Sequence, residues 1–218
     1  MIKVLLVDDH DLVRLGVKRL LQDVKGIQVI GEASTGEEAI KLTKELAPDV
    51  VIMDLQMPGI GGLEATRKML RYNPMVRVLA LTVFDDEPYP SRLLQAGAAG
   101  YITKGCSAEE MVKAIRLLYG GERYLCYEVA QQLALKRYAP EDETSPLDVL
   151  SERELQIMLM ITQGQKTKLI SDKLCLSVKT INSYRYRIFE KLGINSDVEL
   201  TLLAMRLGLI EKQVAIED

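Results

Sequence analysis

The run Val50-Val51-Ile52-Met53 is continuous, apolar and largely β-branched, and it ends at the carboxylate of Asp54, ahead of Leu55-Gln56-Met57-Pro58-Gly59. A short apolar run without polar alternation, bounded by turn residues, is the pattern of a strand covered on both faces, as in parallel sheets. Such a strand needs helices above and below it, so the surrounding chain has to alternate strand and helix. Asp54 would then stand at the carboxyl end of a central strand, where open α/β sheets place their ligands. Asp is also a common turn residue, and alone it reads more simply as a cap on the break that follows.

The alternation is present across residues 1 to about 120. Ile2-Lys3-Val4-Leu5-Leu6-Val7 predicts a first strand that stops at Asp8-Asp9, and Leu12, Val13, Leu15, Gly16, Leu20 and Leu21 recur near the helical period up to Gln22. A second strand is expected over 27–33, helices over 37–46 and 63–72, a fourth strand over 76–82 and a fifth over 100–103. Residues 85–96 look helical at their far end, with Pro88 and Pro90 weakening the first turns. Ser107 with Glu110 three positions on predicts a capping box for a fifth helix. Five βα units imply right-handed parallel crossovers, and the flavodoxin-like order 2-1-3-4-5 puts the switch point between strands one and three.

In that order Asp8 and Asp9 end strand one, Asp54 ends strand three, Thr82 ends strand four and Lys104 follows strand five. Three neighbouring carboxylates repel one another and call for a hard cation, for which oxygen ligands suit Mg2+. A carboxylate beside that ion can attack phosphorus and become an acyl phosphate. Lys104 can neutralise a phosphoryl oxygen and the Thr82 hydroxyl can donate to another. Each residue has an ordinary explanation as a cap, a strand residue or a solvated charge; their coincidence at matching strand ends does not.

These residues, with Met53-Asp54-Leu55-Gln56-Met57-Pro58-Gly59, Leu81-Thr82, Gly100-Tyr101 and Lys104, resemble the receiver domain of two-component response regulators. The resemblance implies that Asp54 is the phosphoacceptor, Asp9 a metal ligand, Asp8 a water-mediated ligand and the Gln56 carbonyl the remaining protein ligand, with Mg2+ as the ion. Thr82 would follow the phosphoryl group and Tyr101 would turn inward as an aromatic switch. Val83 after the threonine, Gly105 after the lysine, and Pro88 with Pro90 depart from the commonest receiver pattern. A dinucleotide site is disfavoured because Gly59-Ile60-Gly61-Gly62 lacks the GxGxxG spacing. A phosphatase built on a nucleophilic aspartate tends to carry a second acid where Gln56 stands, which favours a long-lived phosphoryl state over turnover.

After residue 121 the pattern changes. Residues 127–137 suit one more helix, and Ala139-Pro140-Glu141-Asp142-Glu143-Thr144-Ser145-Pro146 is acidic and without apolar periodicity, so 122–148 reads as a linker. From 149 to 218 four helices are expected: one capped by Ser151 with Glu154, a short one over 167–174, one capped by Ser177 and running to Leu192, and one opened by Ser196 with Glu199. Net charge over the 218 residues is −3, yet Lys166 to Lys191 holds seven Lys or Arg against two acids. Two short-connected helices, the second longer and basic, match the helix-turn-helix unit, whose second helix enters the major groove. Ile181, Ile188 and Leu192 would face the core, leaving Lys179, Asn182, Ser183, Tyr186 and Arg187 outward; an amphipathic helix with a solvated charged face gives the same pattern.

Leu150-Ser151-Glu152-Arg153-Glu154, Ile170-Ser171-Asp172-Lys173-Leu174 and Ser177-Val178-Lys179-Thr180-Ile181 resemble the LuxR-type helix-turn-helix of the NarL/FixJ family, and the segment 179–192 is similar to its GacA/UvrY/LetA subgroup. The whole chain then reads as an α/β receiver (1–121), a linker (122–148) and an all-α LuxR-type DNA-binding domain (149–218). By that resemblance Asn182, Ser183 and Tyr186 face base edges, Lys179, Thr180, Arg187 and Lys191 hold phosphates, and Leu200, Leu203, Ala204 and Leu207 form a dimer face. It further implies a transcription factor rather than an enzyme, a membrane-bound hybrid sensor histidine kinase as phosphodonor, promoters of small regulatory RNAs as targets, a homodimer on activation, and a receiver that masks the DNA-binding domain until phosphorylated. No apolar run approaches the roughly 18 residues of a membrane span, Cys106, Cys126 and Cys175 form no CxxC, and the expected compartment is the cytoplasm. A magnesium-dependent phosphate-transferring enzyme and a receiver that works without phosphate are the competing readings.

Overall fold

The structure is a computed structural model that describes residues 1–55, 57–82, 89–137, 146–207 and 209. Gln56, Val83, Pro88 and the proline-containing acidic stretch 138–145, on which some of the expectations fall, lie outside the described residues. The chain divides into two compact units, the first ending at Pro140 and the second running from Glu141.

In the first unit β1 (Ile2–Val7), β2 (Ile27–Ala33), β3 (Val50–Met53), β4 (Arg77–Thr82), β5 (Gly100–Thr103) and β6 (Tyr124–Leu125) form one parallel sheet in the order β2-β1-β3-β4-β5-β6. All four residues of β3 are buried, as an apolar run without alternation requires of a strand covered on both faces. The crossovers are α1 (Asp11–Gln22), α2 (Gly36–Leu46), α3 (Gly61–Tyr72), α4 (Tyr89–Gln95) and α5 (Ala108–Tyr119). Pro90 sits in the first turn of α4, where the missing N–H is no loss, and the helix is short. Ser107 caps α5 by accepting from the Glu110 amide at 3.1 Å. The Glu110 carboxylate does not close the expected box; it accepts from the Tyr124 hydroxyl at 2.9 Å.

That hydroxyl belongs to the sixth strand, which the five-strand expectation lacked. Two residues are too few to show a period, and β6 exists because the Tyr124 amide donates to the Ala99 carbonyl and the Cys126 amide to that of Tyr101. The helix expected after it is present as α6 (Tyr127–Arg137), which packs against α4 with Val129 fully buried. In the second unit a 3-10 turn (Pro146–Val149) leads into α7 (Glu152–Thr162), α8 (Thr167–Leu174), α9 (Val178–Leu192) and α10 (Asp197–Arg206). Leu155, Ile157, Leu159, Ile170, Leu174, Ile181, Ile188 and Leu200 form its buried interior. Gly193 ends α9 in the left-handed region (φ 66°), which a glycine adopts without steric cost.

Because Val129 is packed and not solvated, Val129→Ala should lower the stability of the first unit by about 2 kcal/mol, read by denaturant unfolding of the full chain; a freely solvated helix would leave the midpoint unmoved.

Candidate functional site

Strand register builds the first site. Val7 pairs with Met53, Met53 with Ala80, and Thr82 with Thr103, so the next residues of each strand emerge on one edge. The Asp54 amide donates to the Val7 carbonyl at 2.8 Å, and the Lys104 amide to the Thr82 carbonyl at 2.7 Å. Asp8, Asp54 and Thr82 are buried, Asp9 and Lys104 are half-buried, and Tyr101 is fully buried in β5.

Lys104 Nζ lies 2.7 Å from Asp8 Oδ2 and 3.1 Å from Asp54 Oδ2, while Asp54 Oδ1 accepts from the Leu55 amide at 2.7 Å. Burial pushes the Asp54 carboxyl up to about 6; the Lys104 charge opposes that rise and the Asp8 charge adds to it. Burial also works against the Lys104 ammonium, but the Asp8 hydrogen bond and the attraction of both carboxylates outweigh it and hold the group above its ordinary value. Asp8, Asp9, His10 and Asp54 each bring one ligand atom to within 4.8 Å of the others. Asp8 Oδ2 and Asp9 Oδ1 are buried, the first 2.7 Å from Lys104 Nζ and the second 2.9 Å from His10 Nδ1. An acidic cluster with two such oxygens can bind a metal ion, and carboxylate donors suit a hard cation.

Three contributors were missed in the sequence. His10 brings Nδ1 to 2.9 Å from Asp9 Oδ1 and donates its amide to Asp8 Oδ1 at 2.8 Å. Arg14, one turn into α1, donates to the Asp8 carbonyl at 2.6 Å. Gly62, read only as part of a failed dinucleotide motif, packs so closely that a Cβ there would stand 1.9 Å from the Asp54 carbonyl oxygen. Its amide donates to the Leu55 carbonyl at 3.1 Å, which seats α3 directly under the site. The glycine run was visible; its need was not, because close approach is a tertiary fact.

The second site lies on α9. Its N-cap Ser177 accepts from the Thr180 amide, and Ile181, Ile188 and Phe189 are buried. Lys179, Ser183, Tyr186 (71 % exposed) and Arg187 face solvent, and Asn182 and Thr180 are half-buried. Arg187 stacks over the Tyr184 ring at 5.6 Å. Lys191, expected to hold a phosphate, has a side chain 39 % exposed and its ammonium 2.6 Å from Glu154 Oε2. One expectation needs correction. Leu200 and Ala204, read as a dimer face, are fully buried where α10 packs against α7, and Leu203 and Leu207 are half-buried. The exposed apolar side of α10 carries Val198 (69 %), Leu202 (51 %) and Met205 instead.

Residues 4–116 match the response regulator receiver domain, and residues 148–204 match the bacterial regulatory proteins of the luxR family. The chain belongs to the two-component response regulators that carry a LuxR-type DNA-binding domain, and it is a phosphorylation-controlled, DNA-binding transcription regulator. It is 63 % identical over 211 residues to the response regulator GacA of Pseudomonas syringae pv. syringae (strain B728a), covering 97 % of this chain and 99 % of that one. It is 59 % identical over 209 residues to the response regulator UvrY of Escherichia coli (strain K12), covering 96 % of each. Among solved structures it resembles the complex of the two-component response regulator RcsB with DNA, at 25 % identity and a TM-score of 0.58, over 94 % of this chain and 98 % of that one. No helix among the described residues is long and apolar enough to cross a membrane.

The raised Asp54 value carries a sign. Between its ordinary 3.8 and about 6 the folded protein holds a proton that the unfolded chain has lost, so stability falls as pH rises through that window. In chelator, Asp54→Asn should be more stable than wild type at pH 7.5 by about 1 to 3 kcal/mol, Lys104 keeping Asp8 as its partner. The difference should shrink toward pH 4, as followed by thermal melts; a gap independent of pH would contradict the assignment.

Proposed function

We propose that Asp54 accepts the phosphoryl group, and the observation that carries this is Lys104 Nζ bridging Asp54 and Asp8 at the carboxyl edge of the sheet. One Asp54 oxygen forms the new O–P bond as the N–P bond of a phosphohistidine breaks, and the departing imidazole takes up a proton. Lys104 is placed to move from carboxylate to phosphoryl oxygen, and Thr82, buried at the end of β4, to follow the same group. Asp8, Asp9 and Asp54 would hold Mg2+, with the Gln56 carbonyl as a further ligand; when bound, the ion offsets the charge gathered at phosphorus. Tyr101 is the residue through which the sheet would register the change. The donor is a membrane-bound hybrid sensor histidine kinase, and Leu12 (83 %) and Leu15 (63 %), exposed on the α1 face that rises from Asp9 and His10, offer it an apolar landing.

On the DNA side, Asn182, Ser183 and Tyr186 would meet base edges while Lys179, Thr180 and Arg187 hold phosphates. Promoters of small regulatory RNAs are the proposed targets, reached by a cytoplasmic protein that dimerises on activation. Val198, Leu202 and Met205 replace Leu200, Leu203, Ala204 and Leu207 as the dimer face, since apolar side chains at i, i+4 and i+7 form one stripe. A receiver that masks the DNA-binding domain until phosphorylated fits the same scheme.

A labelled phosphodonor should leave one phosphate per chain on the wild type and none on Asp54→Asn, and only the labelled protein should gain promoter affinity. Continuous phosphate release would favour the enzyme reading, and equal DNA binding by both forms would favour a receiver that needs no phosphate. Leu202→Arg should leave the melting temperature nearly unchanged and reduce the protein–DNA complex from two chains to one in sedimentation; an undiminished dimer would remove α10 from the interface.

A further inference from the structure

The recognition helix carries four cations, and two of them pair with carboxylates of the same domain while their side chains stay 33 % and 39 % exposed. Arg185 lies 2.6 Å from Asp197, the first residue of α10, with its guanidinium over the Phe189 ring at 5.5 Å. Lys191, in the last turn of α9, reaches Glu154 across 37 residues of sequence. The Glu154 side chain is only 4 % exposed, and a single oxygen, Oε2, accepts from the Ser151 amide at 2.8 Å, the Ser151 hydroxyl at 2.9 Å and Lys191 Nζ at 2.6 Å. Burial opposes the Glu154 charge, but the Lys191 and Ser151 hydrogen bonds prevail and hold the carboxyl below its ordinary range. The same carboxylate therefore closes the capping box of α7 and anchors the far end of α9.

From this we infer that Glu154 is a positioning residue for DNA recognition: by holding Lys191 against the capped start of α7 it fixes the tilt of α9, and so the angle at which Asn182 and Tyr186 meet base edges. The inference rests on α9 being the recognition helix. The physical reason is leverage. A helix of 15 residues held near its middle by Ile181, Ile188 and the Arg185–Asp197 pair can rock about that region, whereas an ion pair at its last turn fixes the end of the lever. A buried carboxylate that loses its cation is costly to keep, so the pair is held closed and the tilt is single-valued. Lys179 and Arg187, whose described contacts leave them facing solvent, then supply the phosphate contacts without Lys191.

The test uses the phosphorylated full chain on promoter DNA and on random DNA over a range of salt, with Glu154→Gln, Lys191→Met, the double variant, Lys191→Arg and Tyr186→Ala. Glu154→Gln keeps an oxygen for the Ser151 cap and removes the charge. Glu154→Gln and Lys191→Met should each lower the promoter-to-random preference roughly tenfold, about the loss of one base contact. The double variant should lose no more than either single one, Lys191→Arg should restore most of the preference, and the salt slope on random DNA should stay unchanged. The inference is overturned if Lys191→Met weakens both DNAs alike and reduces the salt slope by about one, as loss of a phosphate contact would. It is equally overturned if the variants lower the melting temperature while the preference of the folded protein is intact. Should Lys191→Met be unfolded at the assay temperature, Glu154→Gln with Lys191→Arg decides between the same outcomes. An unchanged preference in Tyr186→Ala would instead reject the recognition-helix reading itself, which separates that failure from this one.

Discussion

One ammonium group holds the acidic site at the sheet edge together. Asp8 and Asp54 are buried carboxylates at adjacent strand ends, and Lys104 stands within 3.1 Å of both. The Asp8 charge, in surroundings less polar than water, adds to the cost of ionising Asp54. Lys104 offsets part of that cost and Asp54 still titrates near 6, so the folded site retains unmet demand for positive charge. An acidic cluster with that demand could bind a metal ion. Strand order, the Lys104 amide on Thr82 and the close seat of Gly62 all serve to keep these three groups in register.

The two units solve the problem of placing functional groups by different means. In the receiver the placement is a backbone matter: parallel register brings Asp8, Asp54, Thr82 and Lys104 to one edge whatever the side chains prefer. Sheets tolerate little slippage when both faces are buried, so the site inherits the rigidity of the core. In the DNA-binding unit the helices are short and their orientation rests on a few side chains. Arg185 to Asp197 and Lys191 to Glu154 brace α9 against α10 and α7. The basic patch counted along the sequence is thus partly paired with carboxylates of its own domain.

Periodicity and end signals determined most of the architecture from the sequence alone. The five long strands, the helix caps at Ser107, Ser151, Ser177 and Ser196 and the meeting of Asp8, Asp54 and Lys104 follow from local pattern plus one rule of topology. Tertiary structure decided the remainder, wherever two local readings were equivalent or the signal was too short. β6 spans two residues and is defined by hydrogen bonds to β5 that no period announces. Helix α10 has apolar residues around most of its circumference, so the sequence cannot say that Leu200 and Ala204 turn inward while Val198 and Leu202 face solvent; packing against α7 chooses. A lysine in a basic helix looks the same whether it awaits a phosphate or holds a buried glutamate. Lys191 holds Glu154 because folding brings a charge 37 positions away within 2.6 Å, a distance that exists only in three dimensions.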